Sequence, residues 1–288
     1  MPLAQPYTRR RRKENPAARD ERGGGGVRIK VLRGMERERM EHMLMQSRVA
    51  VVTGSGQGIG AAIARRLAEF GASVVITDIN MEAAQAVADD IVAGGGQAKF
   101  QHLDVSDFAH IRENVERIRG LYGRIDAWVN NAGIIDATPI EAITERDWDR
   151  VMDIDLKAAF FCTQAVMEIM KEQNYGKLVH MSSLAALRGG RSSGAAYAAA
   201  KAAVLNLSKC FALSGAAYNI TSNAVCPGNI LTPMGRTLSW SARDPKSYIP
   251  LGRYGTADDV ANAVLFYASD LSAYVTGDVM NISGGLYM

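Results

Sequence analysis

Two side chains four residues apart could manage a proton between them. Tyr197 and Lys201 enclose three alanines, and on a helix residues at this spacing share one face, one turn apart. A cation about 4 Å away stabilises a phenolate by roughly 4 kcal/mol at an effective dielectric near 20, and desolvation opposes part of this. The pair therefore predicts a proton donor and acceptor. A chance pair on a helix surface has the same spacing, so other motifs must support this interpretation.

A glycine-rich loop between a strand and a helix could hold a pyrophosphate. Residues 48–53 read as a short buried strand that leads into Gly54–Gly60, and residues 61–70 have helical periodicity. Glycines allow close approach of a phosphate, and a helix N-terminus favours anions. A second strand, Ser73 to Thr77, ends at Asp78, where a carboxylate can accept hydrogen bonds from a ribose 2′-hydroxyl. This order favours a dinucleotide site over a flexible loop.

The rest of the chain alternates apolar runs with longer amphipathic segments. Strands are expected at 125–129, 177–181 and 221–226, with helices such as 107–122 and 195–218 between them. The alternation predicts an α/β fold, a single-domain, three-layer, doubly wound parallel sheet of Rossmann type. Ligands of such sheets bind beyond the carboxyl ends of the strands. The candidate residues at those ends are Gly54, Asp78, Asn131, Ser183 and Pro227.

Together these motifs resemble the short-chain dehydrogenase/reductase family. The matching residues follow the family's order and spacing from residue 48 to residue 288, and no strong linker divides that region. They are Thr53-Gly-x-x-x-Gly58-x-Gly60, Asn130-Asn-Ala-Gly133, Ser183, Tyr197-x-x-x-Lys201 and Pro227-Gly228, with Asp104-Val105 fitting the family's adenine contact. The resemblance implies an NAD(P)-dependent oxidoreductase that transfers a hydride to or from a CH–OH carbon.

The resemblance also implies roles for individual residues. Tyr197 exchanges the hydroxyl proton, Ser183 hydrogen-bonds the same oxygen, and Lys201 stabilises the tyrosinate and binds the nicotinamide ribose. For this hydrogen bond, Ser183 is preferred over Ser192 and Ser193. It is also preferred over Ser182, whose side chain points to the opposite face of an extended segment. The expected cofactor contacts are Gly54, Ser55, Gln57, Gly58, Ile59, Gly60, Asp78, Ile79, Asp104, Val105, Asn131, Ala132, Gly133, Tyr197, Lys201, Pro227, Gly228, Ile230 and Thr232.

Asp155 departs from the family pattern, because the family carries the asparagine of its catalytic tetrad at this position. An amide both donates and accepts hydrogen bonds, whereas an ionised carboxylate only accepts. Asp155 could hold a water near Lys201 and change its charge environment. Alternatively, it is a helix-kink residue whose backbone carbonyl is what matters. The sequence leaves both interpretations open.

Cofactor and substrate preferences point in different directions. Asp78 would repel a 2′-phosphate, and neither Gly56 nor Gln57 is basic, so NAD is expected rather than NADP. Residues 249–255 and 283–288 resemble the 3-oxoacyl-(acyl-carrier-protein) reductase branch, which typically uses NADP. The acidic residue favours NAD-linked dehydrogenases of small polyols, sugars or hydroxy acids. The reductase is the alternative, and a non-catalytic NAD(H)-binding sensor or scaffold is an alternative of another class.

Substrate recognition and assembly rest on the same resemblance. The segment from Thr232 to Leu251, with Trp240 and Tyr248, supplies the variable wall of the substrate pocket in this family. Helices over residues 147–172 and 195–218 pair across subunits in the family's tetramers, so a homotetramer is expected.

Charge is concentrated in the first 46 residues. This leader carries twelve Lys/Arg and six Asp/Glu, a net +6, whereas the whole chain is +3. It lacks an apolar run long enough for a secretory signal or a membrane span. We expect a mostly disordered leader, either a dispensable tail or a start assigned too early, before a catalytic domain at 47–288. The run Arg9–Lys13 leaves a nucleic-acid tether, a membrane-surface tether or a presequence as alternatives. We expect a cytoplasmic enzyme with a small-molecule substrate and no nucleic-acid or membrane partner.

Cysteines and histidines give no metal pattern. Cys162, Cys210 and Cys226 lie in apolar segments without metal-like spacing, so they are expected to be buried thiols. The four histidines form no ligand cluster, and His180, in the strand before Ser183, is expected to be packed rather than a base. No metal is required.

Overall fold

Seven short strands pair side by side in one parallel sheet. The computed structural model describes residues 44–190 and 192–288. The strand order is β3-β2-β1-β4-β5-β6-β7, and each pairing is parallel. The Rossmann-type parallel sheet predicted from the sequence is confirmed. The strands are β1 Val49–Thr53, β2 Ser73–Asp78, β3 Gln97–His102, β4 Ala127–Asn130, β5 Gly176–Met181, β6 Ile220–Pro227 and β7 Val279–Ile282.

Helices connect the strands and cover both faces of the sheet. Capping boxes begin two of the described helices, with Thr144 and Asp147 at Glu145–Met152 and with Thr256 and Asp259 at Ala257–Ala268. A π-helical segment, Asp153–Lys157, joins the helix Glu145–Met152 to the helix Ala158–Gln173. The helices are α1 Gly58–Glu69, α2 Met81–Ala93, α3 Ile111–Tyr122, α4 Glu145–Met152, α5 Ala158–Gln173, α6 Ala185–Arg188, α7 Ala195–Gly215, α8 Pro233–Arg236 and α9 Ala257–Ala268, with 3-10 turns at Ile140–Ala142, Ala216–Tyr218, Ser239–Ala242, Pro245–Ser247 and Asp270–Ser272.

Alternate residues of each central strand enter two separate cores. Val51 packs with Trp128 and helices α3 and α5 on one face, and Val52 packs with Ile76 and helices α1 and α9 on the other. Strands covered on both faces read as continuous apolar runs. This is why β1 and β2 stand out in the sequence, whereas β6 is buried throughout although it contains Thr221, Ser222 and Asn223.

The packed region begins earlier than the sequence indicated. Met45, which the sequence analysis assigned to the leader, is fully buried, and its backbone N–H donates to the Phe70 carbonyl at 3.0 Å. The expectation of disorder in the leader otherwise falls on residues 1–43, which lie outside the described residues. Within the described part of the chain, no helix has both the length and the hydropathy that a membrane span requires.

The strand order reverses at β1, whose neighbours are β2 and β4. Connections from β1 and β4 therefore leave in opposite directions and open a crevice at the carboxyl ends of these strands. The fold thus supplies a ligand site where the sequence motifs converge.

Candidate active site

A cavity of about 920 Å³ lies at the carboxyl ends of the strands. Segments after all seven strands contribute to its lining, so residues far apart in the sequence meet there. Almost every site residue expected from the sequence lines it: Gly54, Gln57, Gly58, Ile59, Gly60, Asp78, Ile79, Asp104, Val105, Asn131, Ala132, Gly133, Asp155, Ser183, Tyr197, Lys201, Pro227, Gly228, Ile230 and Thr232.

Ser55 is the exception. Its side chain is fully buried, donates to the Val52 carbonyl at 2.6 Å and accepts from the Thr77 N–H at 3.1 Å. Its own backbone N–H donates to the Thr77 carbonyl. Ser55 therefore ties β1 to β2 beneath the loop and, unlike the other expected residues, does not line the cavity.

The glycine loop fits an anion. Gly58 has φ +58°, and a Cβ there would meet only Thr232 Cβ at 3.9 Å, so the backbone faces open space. Helix α1 begins at this residue, its N-cap Gln57 makes no side-chain cap, and its first turn holds no acidic residue. Its first N–H groups therefore remain available to a pyrophosphate.

Thr53 and Asn131 lock the two sides of the crevice together. The Thr53 hydroxyl accepts from the N–H groups of Asn131 and Ala132, each at 3.0 Å. The Asn131 amide donates to the carbonyls of Thr53 and Gly54. A Cβ on Gly60 would lie 2.5 Å from the Asn131 amide nitrogen, so this close packing requires glycine. The sequence analysis named Thr53 as part of the glycine motif but did not predict that it accepts these hydrogen bonds.

Asp78 is held at the end of β2 with its carboxylate on the cavity. One oxygen accepts from the Gly56 N–H at 2.9 Å and the other from the Asn80 N–H at 3.0 Å. A carboxylate has about four acceptor positions, so both oxygens can still accept from hydroxyl groups. The position and chemistry of Asp78 fit a ribose diol.

Tyr197 and Lys201 share one face of α7, as the spacing predicts. Lys201 Nζ lies 5.6 Å from the centre of the Tyr197 ring and 2.8 Å from Asp155 Oδ1. The other Asp155 oxygen accepts from the Ile134 N–H at 3.0 Å. A Cβ on Gly133 would lie 2.6 Å from Asp155 Oδ1, so only glycine leaves room for this carboxylate.

Asp155 lies at a distortion of the helix, and its carboxylate also contacts Lys201. It lies in the π-helical segment between α4 and α5, so it occupies a distortion of the helix. Its side chain is also fully buried in an ion pair with Lys201. The carboxylate thus contacts the ammonium directly rather than through a water.

The balance of charges around Tyr197 differs from the sequence expectation. Burial raises the pKa of the phenol most, Lys201 lowers it by a smaller amount, and Asp155 raises it again. The net pKa is above the ordinary value, whereas the sequence favoured a lowered one. Burial lowers the pKa of Lys201, but Asp155 and Tyr197 outweigh it and raise the pKa overall. Lys201 therefore stays charged, and Asp155 compensates that charge.

The two adjacent serines face opposite ways. Ser182 is buried and its hydroxyl donates to the Lys201 carbonyl at 2.7 Å. Ser183 is partly exposed to the cavity and accepts from the Ala185 N–H at 3.1 Å. Ser182 thus anchors α7, and Ser183 presents the hydroxyl that a substrate can reach.

His180 belongs to a buried network whose proton positions can be assigned. The Trp128 indole N–H can only donate, so the Asn130 oxygen must face it, at 2.9 Å. The Asn130 NH₂ group therefore donates to His180 Nδ1 at 3.1 Å, and Nε2–H donates to the Ser222 hydroxyl. Burial lowers the pKa of His180 to about 4. His180 is a packed, neutral residue, as expected.

The cysteines differ from expectation in one position. Cys162 and Cys226 are buried, but Cys210 is exposed, because its side of α7 faces away from the sheet. Among residues 44–190 and 192–288, no group of His, Cys, Asp and Glu could hold a metal ion.

The substrate wall contains residues that sequence reasoning did not single out. Trp240 and Tyr248 line the cavity as expected, and the Tyr248 hydroxyl accepts from the Asn229 amide at 2.9 Å. Arg188 and Arg243 line it as well. Arg188 ends the short helix α6 and Arg243 lies in a loop, and neither belongs to a motif that the sequence analysis recognised.

Comparisons with known proteins agree with this geometry. The sequence model of a family described as Enoyl-(Acyl carrier protein) reductase matches residues 54–287. The chain is 40% identical over 247 residues to a 3-oxoacyl-(acyl-carrier-protein) reductase of Thermotoga maritima, with 85% of this chain and 99% of that protein covered. It is 39% identical over 246 residues to a (hydroxy(phenyl)methyl)succinyl-CoA dehydrogenase subunit of Thauera aromatica, with 84% and 98% covered. A gluconate 5-dehydrogenase from Burkholderia cenocepacia, crystallised with NADP and tartrate, has a TM-score of 0.80 at 34% identity, with 86% and 98% covered.

The chain therefore belongs to the short-chain dehydrogenase/reductase family. It is an NAD(P)-dependent oxidoreductase that acts on CH–OH groups or the corresponding ketones. This confirms the resemblance and the enzyme class predicted from the sequence, and it sets aside the non-catalytic sensor.

Proposed function

We propose that this enzyme transfers a hydride from the secondary alcohol of a small polyol, sugar or hydroxy acid to NAD. One observation carries the proposal: the Ser183 and Tyr197 side chains line the same cavity as the fixed carboxylate of Asp78. An alcohol at one end and a ribose at the other could then be bound at once. Positioning of this kind lowers the barrier of a two-substrate reaction.

In the oxidative direction the protein's task is to hold the alcohol and take its proton. Tyr197 in its phenolate form accepts the hydroxyl proton, while Ser183 donates a hydrogen bond to the same oxygen. Lys201 stabilises the phenolate and donates to ribose hydroxyls, and Asp155 fixes the position of Lys201. When bound, the dinucleotide accepts the hydride at its nicotinamide ring.

The preference for NAD rests on Asp78. Its carboxylate is oriented by two backbone N–H groups, so it cannot turn away from the space beside β2 without losing them. A 2′-phosphate there would meet a like charge, whereas a 2′-hydroxyl would donate to it. The related gluconate 5-dehydrogenase was crystallised with NADP, which favours the opposite cofactor preference.

A 3-oxoacyl-(acyl-carrier-protein) reductase is the second candidate. The identity of 40% to such an enzyme over nearly the whole of that protein favours it. Proteins named as gluconate dehydrogenases at 30% and 34% identity favour a sugar-acid dehydrogenase. The acidic residue at 78 supports the NAD-linked dehydrogenase.

Assembly into a homotetramer is part of the proposal. Large apolar side chains are exposed on the two helical regions expected to pair, with Trp148 on α4, Phe160 on α5 and Leu213 on α7. Their burial between subunits would remove apolar surface from water. Sedimentation analysis should give four times the chain mass; a monomer would contradict this part.

The function is tested by following NADH absorbance while a panel of secondary alcohols is offered with NAD, and NADPH consumption while 3-oxoacyl thioesters are offered. We expect turnover with a polyol, sugar or hydroxy acid and a higher kcat/KM with NAD than with NADP. Preferential NADPH-dependent reduction of 3-oxoacyl thioesters would support the second candidate instead.

A further inference from the structure

Within the described residues, two arginines line the active-site cavity and have no carboxylate partner. Arg188 ends α6, shortly after Ser183, and Arg243 lies in the wall segment before Tyr248. In the described part of the chain, Arg65, Arg112 and other surface arginines form ion pairs with acidic residues. Neither Arg188 nor Arg243 does so, although both are exposed to the cavity. These two cations are therefore available to a ligand.

The remaining charges of the lining are compensated or lie elsewhere. Asp155 and Lys201 form an ion pair, so together they contribute little net charge. Asp78 and Asp104 follow β2 and β3, on the side expected to bind the dinucleotide, and both accept backbone N–H groups. Residues 173–243 contain no aspartate or glutamate. Asp244 follows directly, but it does not line the cavity, and its carboxylate accepts from the Lys246 N–H. The loops after β5 and β6 therefore present positive charge to whatever binds beside Ser183.

Arg243 is held in place before any ligand arrives. Its guanidinium lies 4.2 Å from the centre of the Tyr248 ring, and stacking of this kind is favourable for arginine. The Tyr248 hydroxyl accepts from the Asn229 amide. The Tyr254 hydroxyl lies within hydrogen-bond distance of the carbonyls of Trp240 and Arg243. A guanidinium fixed in this way loses less freedom when it binds an oxyanion.

We propose that the substrate carries an anionic group, bound by Arg188 and Arg243, while its secondary hydroxyl meets Ser183 and Tyr197. The inference rests on the proposed function and narrows it: among polyols, sugars and hydroxy acids, it selects the hydroxy acids, whose carboxylate matches the two donors of a guanidinium. A phosphate in the arm of an acyl thioester offers the same anionic chemistry, so the test distinguishes the two sources.

The test compares matched substrates on matched variants. The substrates are 2-hydroxy and 3-hydroxy acids, each paired with its uncharged carboxamide, and 3-hydroxybutyryl-CoA, paired with its uncharged N-acetylcysteamine thioester. Arg188→Gln and Arg243→Gln should each lower kcat/KM for the preferred acid by about tenfold to a hundredfold, because a hydrogen bond to a charged group is lost. The amide should change by less than about threefold.

Arg236→Gln is the control. Arg236 is exposed and unpaired in the same wall segment, but it does not line the cavity. It should leave the ratio of acid to amide activity unchanged. An equal loss in this variant would mean that a general positive field, rather than contact with the two arginines, attracts the acid, and it would overturn the proposal.

The outcomes separate this inference from the proposed function. Equal use of acids and amides by the wild type, or no effect of the arginine variants, overturns the anion site although alcohol oxidation itself persists. Arginine dependence confined to the CoA thioester identifies the phosphate as the anionic group and overturns the choice of hydroxy acids. If no compound is turned over, the proposed function fails. Binding of the acids in the presence of NAD can then be measured by the fluorescence of Trp240 in the cavity wall. Binding that is weakened by the arginine substitutions supports the anion site. Absence of binding, or binding that these substitutions do not change, overturns it.

Discussion

Lys201 Nζ lies 2.8 Å from Asp155 Oδ1, with both side chains buried. The cation that should favour the Tyr197 phenolate is therefore compensated by a carboxylate. Burial raises the pKa of Tyr197 by more than the ammonium beside its ring lowers it, and the Asp155 carboxylate raises it further. This contribution makes the charge state of position 155 a determinant of how the enzyme responds to pH.

Asp155→Asn should shift the pH dependence of alcohol oxidation toward lower pH. Burial and Asp155 both raise the pKa of Tyr197, so removing the carboxylate lowers that pKa while burial remains. The phenolate accepts the substrate proton, so its active form then becomes available at lower pH. The profile of kcat/KM against pH measures this shift. An unchanged profile would mean that Asp155 acts only through its backbone.

Substitutions of the adjacent residues Ser182 and Ser183 should have different effects, one on stability and the other on catalysis. Ser183→Ala removes a donor to the reacting oxygen and should lower kcat by about 10²- to 10³-fold, with little change in stability. Ser182→Ala breaks the bond to the Lys201 carbonyl and should lower the free energy of unfolding by about 1 kcal/mol. Steady-state kinetics and urea unfolding on both variants measure these effects. The reverse pattern would show that the wrong serine has been assigned.

Asp78→Ala should reduce the preference for NAD over NADP by about tenfold or more, because a like charge near the 2′-phosphate is removed. The ratio of the two kcat/KM values measures this. Asp89→Ala is the matched control, since Asp89 is an exposed acid on α2 that does not line the cavity. A wild type that prefers NADP would refute the cofactor assignment.

His180 should make folding stability depend on pH. Its pKa is lowered to about 4 in the folded protein, from about 6.5 in the unfolded chain. As pH falls from about 6.5 to 4, only the unfolded state gains this proton, so the free energy of unfolding decreases, by about 3 kcal/mol in full. His180→Gln should lose this part of the pH dependence in urea unfolding, whereas His110→Gln, at an exposed site, should keep it. Equal slopes in all three proteins would contradict the assignment.

The sequence predicted the sheet well because its central strands are buried on both faces. Val51 and Val52 face different cores, so β1 is apolar throughout and stands out from the glycine loop that follows. The edge strand β3 is half exposed and largely polar, so it has no comparable run. Helix α3 begins at Ile111, four residues later than the predicted 107, because a turn occupies those residues.

The site was predictable where local spacing fixes geometry. Tyr197 and Lys201 share a face by helical periodicity alone, and the glycine loop follows directly from β1. The Asp155 contact depends on packing between a π-helical segment and α7, which no local pattern encodes. Sequence reasoning could therefore name Asp155 but could not determine the balance of charges around Tyr197.

The central claim is that the Tyr197 hydroxyl exchanges a proton with an alcohol whose hydride goes to the dinucleotide. The most direct measurement is NADH formation by wild type and Tyr197→Phe with the best alcohol, together with NAD binding by fluorescence. The account predicts that the variant binds NAD as the wild type does and loses about 10²- to 10⁴-fold in kcat. A variant that oxidises the alcohol at the wild-type rate would contradict the account.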